Sequence, residues 1–271
     1  MSELSRTNTE WRRALYHLTH YGEQVSPRGK PSRELLGFQT RVPLWDPIVT
    51  VPERKLGYKF MIAEAYWILT GDNRVSTIAP YSKQISQFSD DGQVFFGAYG
   101  PKVEDQLEYV VKKLTEDPFS RQAVVNIWRE KPPQTKDVPC TLSAQWFIRD
   151  GLLYCVDTMR SSDIILGWPY DIFNFSMLSV GLACLLRQHG LEVGLGDLIL
   201  TAGSQHLYEK DEAVAEACLA SVEMPRTKGL EIIADICKYW SYHEFIEWLA
   251  RAREVGADTA FEFYYPKQGR P

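Results

Sequence analysis

The chain has little from which to build a disulfide framework or a zinc site. Its five cysteines (Cys140, Cys155, Cys184, Cys218, Cys237) are odd in number, widely spaced and form no C-x-x-C pair. An excess of positive charge is also missing. With 30 Lys and Arg against 35 Asp and Glu, the net charge is -5, so nucleic acid and anionic membrane are not expected as partners and any phosphate grip has to be local. No apolar run approaches the roughly 20 residues that span a bilayer. The start "MSELSRTNTEWRR" lacks the apolar centre of a secretory signal, so a cytosolic protein is expected. Repeats, heptad arrays and low-complexity linkers are absent too.

What is there is apolar mass: 45% hydrophobic and 13% aromatic residues, enough for a large core in a single domain over residues 1–271. "TEWRRALYHLTHYG" places Trp11, Leu15 and Leu18 on one helical face and stops at Gly22, and a polar loop, "GEQVSPRGKPSRE", is expected next. Leu56 to Asp72 is apolar nearly all round and ends at Gly71, the pattern of a buried helix, with the charge of Glu64 inside it. "KVEDQLEYVVKKLTEDP" is an amphipathic helix that Pro118 closes. "AVVNIW", "TLSAQWFIRDG" and "LLYCVDTMR" form a sheet region in which "RDG" is a hairpin turn. "DIFNFSMLSVGLACLLRQHG" is then a long apolar helix closing on Gly190, "LGDLILTAGSQHLY" a strand, and "YHEFIEWLARAREVG" one of the amphipathic helices that follow. The class is α+β.

Several residues suit chemistry, each with a plainer alternative. Cys140 follows Pro139 at the mouth of an expected strand; it is a nucleophile if a cation such as Arg160 favours its thiolate, and otherwise a small core residue. Glu64 is more telling, because carboxylates are rarely buried without a partner or a task. It is either an acid or base, or a charge that reaches solvent or an arginine. Asp163 and Asp171 suit helix caps, and Asp171 stands where "IFNFSMLSV" begins. Arg160 and Arg121 both suit surface charges, but Arg160 beside two serines is the better anion grip, since a guanidinium offers planar bidentate donors. His206, in "GSQHLY", is by default a core or strand-edge histidine.

Taken in order, "EAYWILTGD", "SRQAVVNIW", "PC", "RSSD", "LGWPYD" and "HLY" resemble the thymidylate synthase family across about residues 10 to 210. The resemblance implies that family's α+β fold, a large bent mixed sheet flanked by helices, in a homodimer packed sheet to sheet. It implies Cys140 as the nucleophile that adds to pyrimidine C6, making C5 able to attack a folate-bound one-carbon unit. Glu64 organises waters and proton transfers, and Tyr99 in "GAYG" stands near the water that helps remove the C5 proton. Arg160 and Ser161 grip the phosphate; Arg121 is lent to it across the dimer, with Gln122 where a second arginine is usual. Arg28 in "SPRG" fills a phosphate-loop role, although the adjoining "KPS" departs from the family's Thr/Gly-rich pattern. His206 and Tyr208 bind the sugar hydroxyl and Asp163 the pterin. The implied co-substrate is 5,10-methylenetetrahydrofolate, with no metal.

Asp171 departs from the asparagine that reads uracil in this family. Cytosine presents the inverse edge, an amine at C4 and an unprotonated N3, and a carboxyl group matches it. The change marks the family's deoxycytidylate branch, such as phage deoxycytidylate hydroxymethylases, and points to dCMP. Two further departures bear on the product. "QISQFSDDG" puts Ile85 and Phe88 where tryptophans wall the pterin, and the tail is a short "YYPKQGRP". A looser lid admits water, so hydroxymethylation is expected over methylation by folate hydride. A dCMP 5-methyltransferase and a CMP hydroxymethylase are the enzymatic alternatives; an idle nucleotide- or RNA-binding homologue would have lost the chemistry residues.

Overall fold

The computed structural model describes residues 5–131, 133–222 and 231–263. Along the chain run α1 (Arg6–Tyr21), β1 (Glu23–Val25), β2 (Ser32–Pro43), α2 (Tyr58–Leu69), α3 (Val75–Ile78), α4 (Gly100–Glu116), β3 (Val124–Asn126), β4 (Thr141–Arg149) and β5 (Leu152–Asp163). There follow α5 (Trp168–Gln188), β6 (Gly194–Tyr208), α6 (Glu212–Ala220), α7 (Glu231–Tyr239), α8 (Tyr242–Ala252) and α9 (Ala257–Phe263). The strands make one mixed sheet in the order β1-β2-β6-β5-β4-β3. Among the described strands only β5 and β6 run parallel, because the long α5 joins them as a crossover.

The amphipathic pattern of α1 buries Trp11, Leu15 and Leu18 completely, and the Ser5 hydroxyl caps it by accepting from the Asn8 N–H at 3.1 Å. The expected turn between β4 and β5 is present: Asp150 and Gly151 both have positive φ, 52° and 72°, as a two-residue hairpin of the right twist requires. By length and composition α5 would serve as a membrane span, but it is the core helix, packed on β5 and β6 below and against α2, α7 and α8.

Two expectations need correction. The helix expected to begin at Asp171 begins at Trp168, because Pro169 is pre-set for the first turn of a helix; Asp171 thus lies inside that turn and caps nothing. The expected polar loop after Gly22 contains β1 and runs into β2, which pairs with β6 along its length. Its apolar alternation is broken because the strand itself is broken.

That break belongs to a row. Pairing skips Gly37 and Gly203 between β2 and β6, skips Arg160 between β5 and β6, and slips at Leu142 between β4 and β5. Across the row the buried face changes phase, from Cys155, Asp157 and Met159 to Ser162 on β5, and from Leu198, Leu200 and Ala202 to Gln205 and Leu207 on β6. The sheet bends there. Gly37 takes φ of 63°, and a Cβ on Gly203 would lie 3.0 Å from the Arg160 carbonyl oxygen. Gly203→Ala is therefore expected to lose roughly 1–3 kcal/mol of stability, read as a lower urea midpoint.

Candidate active site

On one side of this row a cavity of about 220 Å³ is lined by Glu64, Tyr99, Asp137, Cys140, Asp171 and Asn174, with Ile85 and Phe88 in its wall. Six sequence-selected residues are thus brought together: Glu64 from α2, Ile85 and Phe88 from the turn before α4, Tyr99 at the start of α4, Cys140 just before β4, and Asp171 in the first turn of α5. All five cysteines are free; Cys155, Cys184, Cys218 and Cys237 are buried, and Cys140 is the half-buried one that reaches this cavity.

The sheet break aims Arg160 at the thiol. Its Nη2 lies 3.7 Å from Cys140 Sγ, while Nε and Nη2 donate to the carbonyls of Pro139 and Val138 at 2.9 and 3.0 Å. Burial pushes the Cys140 thiol up and the Arg160 cation pulls it back down, against the opposing charges of Asp171, Asp137 and Asp163. Tyr99 accepts from the Thr141 N–H at 3.2 Å, and burial, with Asp171 and Cys140 nearby, keeps its phenol well above the usual range.

Glu64 is held by Asn174, whose Nδ2 donates to Oε2 at 2.7 Å. Burial pushes the carboxyl up to about 7, the Asn174 bond opposing, so near neutral pH it both gives and takes a proton. Asp171 is raised well above an ordinary aspartate, by burial first and then by Glu64 and Asp163, which favours its protonated form, with one O–H donor and one carbonyl acceptor.

At the far ends of β5 and β6, Ser161 pairs with Ser204 and Asp163 with His206, and the rings of His206 and Tyr208 meet edge to face at 5.0 Å. Asp163 Oδ1 accepts from the Ile165 and Leu166 N–H groups, both at 2.9 Å, so its carboxyl organises the turn into α5 instead of capping the helix. Arg28 and Arg121 are exposed and neither lines this cavity. Arg28 sits on a tight turn with φ of 55°, and Arg121 just before β3 at the sheet's edge. The tail "YYPKQGRP" lies outside the described residues.

Sequence reasoning missed Asn174, Asp137 and Asp157. Asn174 had a signal: a polar residue three after Asp171, on the same face of an apolar helix. Asp157 is fully buried on β5, and neither oxygen has a partner among the described residues; burial and then Asp171 push it well above the usual range. Ile85 and Phe88, with Trp67, Ile68 and Phe95 in the same lining, offer the apolar surface that a flat heteroaromatic such as a pterin would cover, so the residues present fit a folate.

Removing the Arg160 cation leaves burial unopposed. In Arg160→Ala the midpoint of Cys140 alkylation by iodoacetamide, followed by peptide mass over a pH series, is expected to move to higher pH, and an unmoved midpoint would show that Arg160 does not support the thiolate.

The family model for thymidylate synthase matches residues 9–237, which take in the whole described sheet and the whole cavity. Members join a one-carbon unit from methylenetetrahydrofolate to a pyrimidine nucleotide, the chemistry for which a cysteine beside an arginine and two raised carboxyls is suited. The chain belongs to the thymidylate synthase family.

Proposed function

We propose that the chain converts dCMP to 5-hydroxymethyl-dCMP, with 5,10-methylenetetrahydrofolate as the one-carbon donor. Asp171 carries this reading. Asp171 lines the cavity with Cys140, and in the protonated form that burial favours its carboxyl donates to cytosine N3 and accepts from the amine at C4. Uracil puts an N3–H and a carbonyl there instead, and a neutral carboxyl can match those too only by turning round; the ionised form leaves two acceptors in contact, at roughly 1–3 kcal/mol.

The bound folate supplies a carbon at the oxidation level of formaldehyde. The protein's own groups do the rest. Cys140, its thiolate favoured by Arg160, adds to C6 and makes C5 the nucleophile. Asp171 holds N3 and supplies its proton, and Glu64, titrating near 7, moves protons between the ring and solvent. Tyr99, kept a phenol, orients a water toward the C5 hydrogen. Arg160 and Ser161 bind phosphate, with His206 and Tyr208 at the sugar and Asp163, Ile85 and Phe88 at the pterin. Ser161 in "RSSD" supports the deoxyribonucleotide over CMP.

A homodimer belongs to the same reading. The sheet face away from α5 carries Phe147, Tyr154, Val156 and Ile199, each partly open, which suits a second sheet. Arg121, exposed beside that sheet, then meets the partner's phosphate.

The first test is mass spectrometry of the product from an equimolar mixture of dCMP, CMP and dUMP with methylenetetrahydrofolate. The expected result is a gain of CH2O on dCMP without dihydrofolate; a gain of CH2 with dihydrofolate instead makes the protein a methyltransferase. Cys140→Ala is expected to bind dCMP and turn over none. Asp171→Asn should shift the dCMP-to-dUMP preference in kcat/KM by about 10-fold to 100-fold toward dUMP, and an unchanged preference would sink the role given to Asp171.

A further inference from the structure

We infer that Asp137 takes the proton from the water that adds to the C5 methylene, and so directs the reaction to a hydroxymethyl product; this rests on the cytidylate reading of the cavity given above. Asp137 lines the same cavity as Cys140 and Tyr99, beside the Ile85 and Phe88 wall. Its Oδ2 is fixed by the Gly97 N–H at 2.7 Å, and no described residue donates to Oδ1, which is left to accept from a water.

The chain around it is braced. A Cβ on Gly97 would lie 2.4 Å from the Asp137 carbonyl oxygen, so the segment that ends in Tyr99 is pressed on the one that ends in Cys140 and only glycine fits. From the loop after Phe88, Asp90 accepts from the Lys136 N–H at 3.0 Å and from the Thr135 hydroxyl. These contacts hold the Asp137 carboxylate still relative to the thiol, as a positioned base requires. Burial also raises it above the ordinary aspartate range, which strengthens it as a base. Of the other cavity carboxyls, Glu64 is held through one oxygen by Asn174, and in the cytidylate reading Asp171 is given to the base edge.

In the adduct held by Cys140, C5 bears an exocyclic methylene conjugated with C4 and N3. The water oxygen bonds to the methylene carbon, the π pair moves onto the ring, and the water's proton passes to Asp137. Return of that pair re-forms the C5–C6 double bond and expels the Cys140 thiolate. No oxidant or reductant enters.

The step runs in reverse without folate, which gives a clean test. Purified protein is incubated with 5-hydroxymethyl-dCMP in heavy-oxygen water, and exchange of the hydroxymethyl oxygen is followed by mass spectrometry. Separately, release of tritium from C5 of dCMP reports Cys140 addition and proton exchange at C5, without the addition of water to a methylene. Asp137→Asn keeps an acceptor for the Gly97 N–H but is no base. It should lower the ratio of oxygen exchange to C5 exchange by about a hundredfold. An unchanged ratio, a parallel loss of both exchanges, or a wild-type protein that releases tritium without exchanging oxygen overturns the role of Asp137. A wild-type protein that does not release tritium overturns the reading of the site itself, and this inference with it.

Discussion

The interrupted pairing across the sheet is the constraint on which the rest depends. A regular strand would alternate Arg160 strictly with Met159 and Ser161 and would carry one face of β5 unbroken to its end. Because pairing skips Gly37, Gly203 and Arg160 and slips at Leu142, the sheet bends and the residues beyond the break turn to a new face. The bend sets the Arg160 guanidinium against the carbonyls of Val138 and Pro139 and the sulfur of Cys140. Two glycines make this possible, one by a left-handed φ and one by leaving room for a carbonyl.

Electrostatically the cavity is a place where burial holds acids above their ordinary range. Glu64, Asp137 and Asp171 line it, with Asp157 buried near Asp171, and Arg160 is the cation that touches its nucleophile. Burial raises each carboxyl, and the charges of Glu64 and Asp163 raise Asp171 further. Such a site offers O–H donors that an isolated aspartate at neutral pH lacks. It also leaves the thiol dependent on one arginine for its reactivity.

How much of this was legible in the sequence follows from how local each signal is. Trp11, Leu15 and Leu18 declared their helix, and "RDG" its hairpin, because helical period and turn chemistry are carried by neighbours in the chain. The chemistry residues were legible as an ordered set of motifs, and Cys140, Glu64, Tyr99 and Asp171 do meet in one cavity. β2 was not legible, since a strand broken at Gly37, with Gln39 and Arg41 exposed, has no clean alternation to read. Asp137 was missed for a different reason: its importance comes from Gly97, 40 residues away, and nothing beside it in the chain announces that contact. The start of α5 was misplaced because Asp171 resembles a cap in isolation, while Pro169 decides where the helix begins.

The single parallel pairing has a consequence for how the protein comes to be active. β4 and β5 form a hairpin across a two-residue turn, so Cys140 and Arg160 are brought together by a contact between near neighbours in sequence. β6 joins β5 only after the whole of α5 has folded back between them, a closure over many more residues and a slower event. Asp171 rides on that crossover, and His206 arrives with its last strand. Topology therefore favours the Cys140–Arg160 contact forming before Asp171 takes its place, so a partly folded chain carries a thiol beside an arginine without that carboxyl.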